Sequence, residues 1–503
     1  MTRKMLFLAL MLSMTVLPLH GAAAIEFADG KLVVHGKVQG TVQMPTHKKI
    51  TPNQRHSYDF HNIRASLKLE TMWHVYEGPK YSLNVYSILK NFYDKAYDID
   101  SGYHDYVSDF SGHRGIKNEL RNYNTFRDIC RELYIEVIHP LFQVRLGKQV
   151  VSWGETTFSR MADIVNPLDS RGVINPIVPD FAEIKQGLWM ARILYTNPDM
   201  WQNIMFEFLV IPDFQPTRVY PAGHHMMHPS SMNAMQDPNE LLRPRYRDAP
   251  KTWGNPELGL RLRGFTKGFD WTLQYLHHRN DSPVTRSGMA LDAALPALLG
   301  RGHTRDVMKY KFQHTFGATF NKPIGGEVPI IPFTSMRMSG LLLKGEFIWE
   351  KDRDINQQVG SNVRVREIDR YAGVLGWDCK IFLPYITPRF RNKLLTSKTQ
   401  LFMEWVPDRH RNDLISPWSA FRKSGHHFAA FTQTFQYAFW HNRILPGFNL
   451  NYQLTDGSVA CAWALIFKPT FKWTYSLIYS NYTEYGSETN NGDILVFDII
   501  YEF

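Results

Sequence analysis

The chain ends with the stretch L-V-F-D-I-I-Y-E-F at residues 495–503. Apolar residues occupy the odd-numbered positions, and Asp498 and Glu502 lie between them. A period of two predicts a β-strand with one apolar and one polar face. An unpaired strand of this kind promotes aggregation in a soluble protein. We therefore expect it to close a barrel by pairing with the first strand, with lipid against its apolar face. The edge of a soluble sheet is the alternative.

The composition fits a membrane barrel better than a helical membrane protein. The 503 residues carry a formal net charge of +10, and 14% of them are aromatic. The mean hydropathy is only -0.32. Barrel strands mix polar with apolar residues and carry aromatic girdles, which explains this combination. Beyond the N-terminus, no apolar run reaches the 18 residues that a spanning helix needs.

The N-terminal residues 1–24 predict an export signal. Arg3 and Lys4 precede an apolar run at 5–19, and three alanines at 22–24 resemble a cleavage site. The terminal aromatic resembles the assembly signal of Gram-negative outer-membrane barrels. We therefore expect outer-membrane localisation, with lipid and lipopolysaccharide around the protein and the barrel-assembly machinery as a partner of the C-terminal strand. No Lys/Arg run indicates nucleic-acid binding.

Alternating segments recur along the whole chain. Strands are predicted at 63–76 and 81–93, for example, joined by a turn at 77–79. Further predictions include a strand at 142–154, a loop at 351–366 and a strand at 471–479. Short turns mostly alternate with longer loops, as in outer-membrane barrels. The sequence therefore predicts an all-β fold, a transmembrane antiparallel up-and-down barrel in one domain at 25–503. It would have about 18 strands, with 16 as the alternative, short periplasmic turns and long outer loops.

One motif carries a family resemblance. Residues 145–155 read R-L-G-K-Q-V-V-S-W-G-E, and residues 163–169 read D-I-V-N-P-L-D. With Glu132 and Tyr134 on the preceding strand, this pattern resembles a family of proteobacterial outer-membrane barrels that bears only a domain-of-unknown-function name. The resemblance implies the fold and the location. It also implies a link to export or uptake of hydrophobic compounds.

The same region predicts a constriction. If residues 139–142 form a turn, Glu136 lies opposite Arg145, Tyr134 opposite Gly147, and Glu132 opposite Gln149. Apolar residues at helical spacing then precede a proline. We expect the segment at about 155–184 to fold into the barrel, although a purely architectural motif is the alternative. The predicted constriction and lumen residues are Glu132, Tyr134, Glu136, Arg145, Gln149, Trp153, Glu155, Arg160, Asp163, Asn166 and Asp169.

Inward-facing cations are expected along the predicted strands. A basic lumen stripe would comprise Arg64, Lys68, Arg261, Arg263 and Lys472. Charge in the lumen tunes the selectivity of such barrels. Four carboxylates are candidates to neutralise the stripe, namely Glu70, Glu132, Glu136 and Glu346.

Motifs for catalysis, metals and cofactors are lacking in the sequence. Hydrolase, zinc-protease, P-loop and dinucleotide fingerprints are absent, so we predict neither an enzyme nor a bound cofactor. The cysteines, Cys130, Cys379 and Cys461, form no paired motif and are expected to be small apolar residues on strands. The string H-H-M-M-H at 224–228 suits a soft metal, but an exposed proline-flanked loop is the preferred interpretation. Polar or interfacial roles are expected for the histidines at 277–278 and 426–427.

These patterns indicate an outer-membrane channel or transporter for small or hydrophobic solutes, narrowed or gated by the segment at 155–184. A non-conducting scaffold for a periplasmic partner, an electron carrier or a lipid-handling protein, is the first alternative. An outer-membrane enzyme acting on lipid is the second alternative.

Overall fold

Eighteen antiparallel strands form one closed ring in the computed structural model of the chain. Each strand pairs with the next, and the last pairs with the first. The predicted all-β barrel of 18 strands is therefore confirmed. The structure describes residues 24–46, 60–99, 121–155, 161–169, 171, 181–196, 203–218, 253–281, 284–285, 308–329, 337–360, 362–382, 394–410, 412–414, 426–455, 457–483 and 493–503.

The ring strands are numbered in chain order. The first nine are β1 Leu32–Pro45, β2 Asn62–Glu77, β3 Ser82–Asp94, β4 Cys130–His139, β5 Phe142–Gln149, β6 Leu188–Thr196, β7 Met205–Ile211, β8 Glu257–Thr266 and β9 Phe269–Arg279. The second nine are β10 Phe312–Pro329, β11 Arg337–Val359, β12 Asn362–Phe382, β13 Leu395–Trp405, β14 His427–Gln436, β15 Ile444–Gln453, β16 Val459–Phe467, β17 Trp473–Thr483 and β18 Ile494–Glu502.

The chain also forms shorter strands and helices besides the 18 barrel strands. Further strands are Ile25–Phe27 beside β1, Asp413–Leu414 beside β11, and the pair Val284–Thr285 and Met308–Lys309. The helices are α1 Ala96–Ile99, α2 Phe126–Ile129 and α3 Phe181–Ile184. Among the described residues, no helix has the length and apolar character needed to cross a membrane.

The two faces of the ring differ in polarity because successive side chains of a strand point to opposite sides. Leu67, Ile135 and Leu146 are exposed on the outer face. Glu136 and Arg145, next to the last two in sequence, form an ion pair on the inner face. The barrel therefore presents an apolar surface outward and encloses a polar lumen.

Aromatic residues form rows on the outer face. Tyr275, Phe316, Trp349, Tyr371 and Trp405 pack ring against ring across β9 to β13, with successive centroids 5.1–6.1 Å apart. Near the other end of the barrel, Trp473 packs against Tyr501, and Tyr501 against Phe503. Aromatic residues concentrate at membrane interfaces in barrels of this kind.

The two ends of the ring differ in their connections. At one end, here called the short-turn end, β4–β5 and β8–β9 are joined by only two residues each. At the opposite, long-loop end, the connections include 95–129, 150–187, 212–256 and 280–311. Short and long connections alternate from β2 to β10, as the sequence predicted for most connections, whereas β11 and β12 are joined by two residues at the long-loop end.

Three local predictions are wrong. β5 ends at Gln149 rather than at residue 154, because the N–H of Val151 donates to the Asn166 side chain instead of to a neighbouring strand. Residues 351–366 are not a loop, since β11 and β12 continue to a turn at 360–361. A bulge after Glu350 breaks the period of two there and hides both extensions. Finally, β17 begins at Trp473, so Lys472 lies in the preceding turn, with Nζ 5.7 Å from the ring centre of Phe471.

A contact at the chain terminus extends the pairing that closes the barrel. The N–H of Gly36 donates to the carbonyl of Phe503 at 2.6 Å, and the N–H of Phe503 donates back at 2.9 Å. The Phe503 ring lies over Gly36, where any Cβ would collide with it. Glycine is therefore required opposite the terminal aromatic.

Replacing Gly36 by valine is expected to push the Phe503 ring away and to lower the free energy of unfolding by about 1–3 kcal/mol, as overpacking does. Heat-dependent migration on SDS gels measures this loss, because the folded barrel migrates faster than the unfolded chain. The matched control is Gly325→Val, since a Cβ at Gly325 meets no atom within 4 Å. Equal unfolding temperatures for the two variants would contradict the role given to the Gly36–Phe503 contact.

Candidate functional site

The chain between β5 and β6 enters the barrel. This connection, residues 150–187, is called the inner segment, and its described parts are 150–155, 161–169, 171 and 181–187. Val151 and Trp153 are buried in an apolar cluster with Leu209 of β7 and Leu276 of β9. Both wall residues neighbour outward-facing residues in sequence, so the cluster lies on the lumen side.

A second apolar cluster holds the inner segment against a different part of the wall. Met161 and Ala162 pack with Ile348, Ala372, Val374, Phe402 and Ala430, which belong to β11, β12, β13 and β14. Because the first cluster lies on β7 and β9, the inner segment contacts two separate regions of the ring.

Glu346 of β11 fixes the turn of the inner segment. Its carboxylate is 4% exposed and accepts the N–H of Ala162 at 2.8 Å and the N–H of Glu155. From β9, the side-chain amide of Gln274 donates to the carbonyl of Ala162 at 2.7 Å. Two wall residues thus satisfy backbone groups that the segment itself leaves unpaired.

Polar side chains also join the two limbs of the inner segment. Asn166 accepts the N–H of Val151 at 2.7 Å and donates to the carbonyls of Gln149 and Gln186 at 3.2 and 2.8 Å. Asp163 accepts the N–H of Trp153 at 3.3 Å and forms an ion pair with Lys185. These residues hold the part of the inner segment that enters the lumen next to the part that leaves it.

Four charged side chains form a cluster at the long-loop end of the barrel, where the inner segment meets two other long connections. Arg171 contacts Asp169 at 2.6 Å and Asp128 at 3.4 Å, and Arg218 contacts the same two carboxylates at 3.4 and 2.5 Å. Burial opposes ionisation of both carboxyls, but the guanidinium groups outweigh burial and hold the pKa of Asp128 and the pKa of Asp169 below the usual value. The cluster ties the inner segment to two other long connections.

The predicted β4–β5 register is confirmed at two of its three pairs. Glu136 lies opposite Arg145, with an ion pair of 2.6 Å, and Tyr134 lies opposite Gly147. The guanidinium of Arg145 is 5.1 Å from the Tyr134 ring centre, a cation–π contact. Glu132 instead accepts the N–H of Val150.

The other predicted lumen residues are divided between the wall and the inner segment. Gln149 is buried and donates to the carbonyl of Met190 at 3.2 Å. Trp153 is also buried, and the Arg261 guanidinium is 5.8 Å from its ring centre. Arg160 lies outside the described residues.

Four of the five predicted stripe residues have a carboxylate partner. Arg64 pairs with Asp94 at 3.4 Å, Lys68 with Glu183 at 3.1 Å, Arg261 with Glu207 at 2.7 Å, and Arg263 with Asp270 at 2.5 Å. Arg64 and Lys68 are on β2, whereas Arg261 and Arg263 are on β8. The cations therefore form two separate groups rather than one stripe, and Lys472 is in a turn.

Sequence reasoning missed several residues that hold the inner segment. Glu346 was expected only to neutralise basic residues, and Gln274, Lys185, Arg171 and Arg218 were not singled out. An inward-facing carboxylate between apolar neighbours was the one readable signal, at Glu346. Its partners belong to a segment without periodicity, so no sequence pattern identifies them.

Metal binding finds no support in the described part of the chain, where no three His, Cys, Asp or Glu residues are placed to hold an ion. The histidine-rich string at 224–228 lies outside that part. His277 stacks on Phe312 at 4.5 Å, and the buried His278 bonds to Thr315 at 3.0 Å.

Replacing Glu346 by glutamine is expected to loosen the turn of the inner segment. An amide offers one acceptor oxygen where the carboxylate offered two, so one of the N–H groups of Glu155 and Ala162 loses its partner, at a cost of about 1–3 kcal/mol. Hydrogen–deuterium exchange should show roughly tenfold faster exchange of these amides. Glu404→Gln is the control, because Glu404 pairs with Arg370 and not with the inner segment. Equal exchange in both variants would contradict the anchoring role.

The four-charge cluster is expected to weaken in acid. The folded-state pKa values of Asp128 and Asp169 lie below that of an unfolded aspartate, about 3.9. Their stabilising contribution is therefore fully present above about pH 4 and is lost as the pH falls through the lower folded-state values. Pepsin cleavage of the connection at 150–187 measures the loss, with the double variant Asp128→Asn, Asp169→Asn compared at each pH. At pH 4.5, pepsin should cleave the wild type more slowly than the double variant, and at lower pH it should cleave both equally fast. Equal cleavage rates at pH 4.5 would contradict the stabilising role of the two carboxylates.

The fold has counterparts among solved structures. Acinetobacter baumannii OccAB4 matches with 8% sequence identity and a TM-score of 0.51, over 94% of this chain and 98% of that chain. Pseudomonas aeruginosa OpdK with vanillate matches with 7% identity and a TM-score of 0.49, over the same shares of the two chains. No curated protein matches the sequence. At this low identity, the OccAB4 match shows a common barrel fold and nothing further.

A family assignment comes from the sequence itself. One family pattern matches residues 5–503, nearly the entire chain, and this agrees with the resemblance drawn from the motif at 145–169. The chain therefore belongs to the family described as "Protein of unknown function (DUF1302)".

Proposed function

We propose that this protein is an outer-membrane channel for small polar solutes, narrowed by the inner segment. The observation that carries the proposal is the anchoring of this segment to separate regions of the wall, by Glu346 of β11 and by the cluster around Trp153. A ring of 18 strands is wide enough to enclose an aqueous passage. The porin-like fold supports the same role.

The lumen chemistry favours polar over hydrophobic solutes. Paired charges line the wall, as at Glu136–Arg145 and Glu207–Arg261. Such pairs hold water and ions near the wall, and they make the desolvated passage of an apolar molecule unfavourable. Two apolar clusters of the lumen wall are instead covered by the inner segment itself.

The contacts that hold the inner segment permit movement. They are hydrogen bonds, ion pairs, two apolar clusters and single β-bridges rather than continuous strand pairing, and the wall contributes few backbone-pairing groups, among them Glu346. Local openings of this kind cost less than disruption of the ring. We infer that the inner segment acts as a constriction that opens.

A non-conducting scaffold remains the second candidate. The specific observation in its favour is the pair of apolar clusters inside the barrel, because they show that the inner segment fills part of the lumen. In that case the same contacts would make a stable plug rather than a gate.

Single-channel recording in a planar bilayer separates these candidates. We expect the refolded protein to show a small stable conductance, and a variant with residues 158–170 replaced by a short Gly/Ser linker to show severalfold higher conductance. Glu404→Gln is the control for a lumen change that leaves the inner segment in place, and it should match wild type. An absence of conductance from both well-folded proteins would contradict the channel and favour the scaffold.

A further inference from the structure

Three lysines lie side by side on the lumen wall. In the strand register, Lys37 of β1 is directly opposite Lys68 of β2, and Lys68 is directly opposite Lys90 of β3. The sequence neighbours Val38 and Leu67 are exposed on the outer face, so the lysines face inward. Like charges at directly opposite positions repel one another and destabilise a sheet. An anion close to the three lysines therefore reduces their repulsion and stabilises the sheet.

The anion present is a carboxylate of the inner segment. Glu183, on α3, lies 3.1 Å from Nζ of Lys68, 2.8 Å from Nζ of Lys90 and 3.6 Å from the guanidinium of Arg131 on β4. One carboxylate thus contacts cations from three successive strands. Burial opposes ionisation of Glu183, but Lys90, Lys68 and Arg131 outweigh burial and hold its pKa well below the usual value.

Three other carboxylates lie near this row, Glu70, Glu132 and Glu502. Glu70 is 4.0 Å from Lys68 and accepts a hydrogen bond from the Tyr86 hydroxyl at 2.5 Å. Glu132 accepts the N–H of Val150 at 3.3 Å. Glu502 lies opposite Lys37 in the register of β1 and β18. Among the described residues, only Glu183 forms ion pairs with three of these cations.

The site is also accessible. The side chains of Lys68, Lys90 and Glu183 keep 21%, 18% and 21% of their surface exposed. A solute can therefore reach the same ammonium groups that contact Glu183. Both other contacts of α3 with these cations are made through backbone carbonyls, from Lys90 to Glu183 at 3.2 Å and from Arg131 to Ala182.

We propose that Lys37, Lys68, Lys90 and Arg131 form a binding site for carboxylate solutes, which Glu183 occupies as a tethered competitor. A solute carboxylate takes the place of the Glu183 carboxylate between the same ammonium and guanidinium groups, and α3 is released from the wall. The cations, not the segment, then carry the specificity, because charge-assisted hydrogen bonds to Lys and Arg are the strong ones for a carboxylate. The consequence for transport rests on the channel function proposed above, whereas the binding itself does not.

Isothermal titration of the purified full-length protein in detergent at low salt tests the binding site. Succinate is the probe, and its neutral diamide, succinamide, is the matched control. We expect succinate to bind and succinamide not to bind. In Glu183→Gln, succinate should bind about tenfold more tightly, because a tethered group competes at an effective concentration in the millimolar range. In Lys90→Gln, binding should be about tenfold weaker.

Lys344→Gln controls for any loss of lumen charge. Lys344 pairs with Asp378 at 2.8 Å, far from the lysine row along the ring, so succinate should bind this variant as it binds wild type. If Glu183→Gln and wild type bind succinate with equal affinity, Glu183 does not compete with the solute. If Lys344→Gln and Lys90→Gln weaken succinate binding equally, the lysine row is not the binding site. If Lys90→Gln does not fold, the comparison of Glu183→Gln with wild type still decides.

Binding and conduction are measured separately, so the two proposals fail separately. Conductance without succinate binding would support the channel function and reject the carboxylate site. Succinate binding with the expected variant effects in a non-conducting protein would support the site and reject the channel.

Discussion

A strand that faces lipid has no water to satisfy its backbone N–H and C=O groups, so a membrane sheet must pair its first strand with its last. In this protein that pairing joins β1 to β18 over nine residue pairs. The terminal Phe503 completes it through hydrogen bonds to Gly36. Because the ring is closed, every strand has two neighbours, and the only face left for polar residues is the lumen.

The same requirement explains how the inner segment is held. Once the chain leaves β5 at Gln149, its backbone groups no longer have a strand beside them. Side chains take over this role, with Asn166 and Asp163 acting within the segment and Glu346 and Gln274 acting from the wall. Buried backbone groups are nearly always paired, so these side chains, together with backbone bridges at Leu168–Lys185 and Asp169–Arg218, determine where the segment lies.

Charge pairing links the wall to the inner segment. On β7 to β9, arginines find carboxylates on the neighbouring strands, as in Arg261–Glu207 and Arg263–Asp270, and the wall there is complete without the segment. On β1 to β3 the lysines face one another, and Glu183 of the inner segment is the shared partner of Lys68 and Lys90. One region of the wall thus pairs its charges within the wall, while the other depends on a carboxylate of the inner segment.

The sequence by itself determined the barrel, because a period of two is a local property that each strand displays independently. It also determined the Glu136–Arg145 pair, since a two-residue turn after β4 sets the register of both strands. The β11–β12 extension was missed because a bulge interrupts the period after Glu350. Only the tertiary structure brought Glu346 to Ala162, 184 residues away along the chain, and only it placed Lys68, Lys90 and Arg131 around Glu183. Such contacts depend on the registers of several strands and on the path of a segment without periodicity, and neither is encoded in any local pattern.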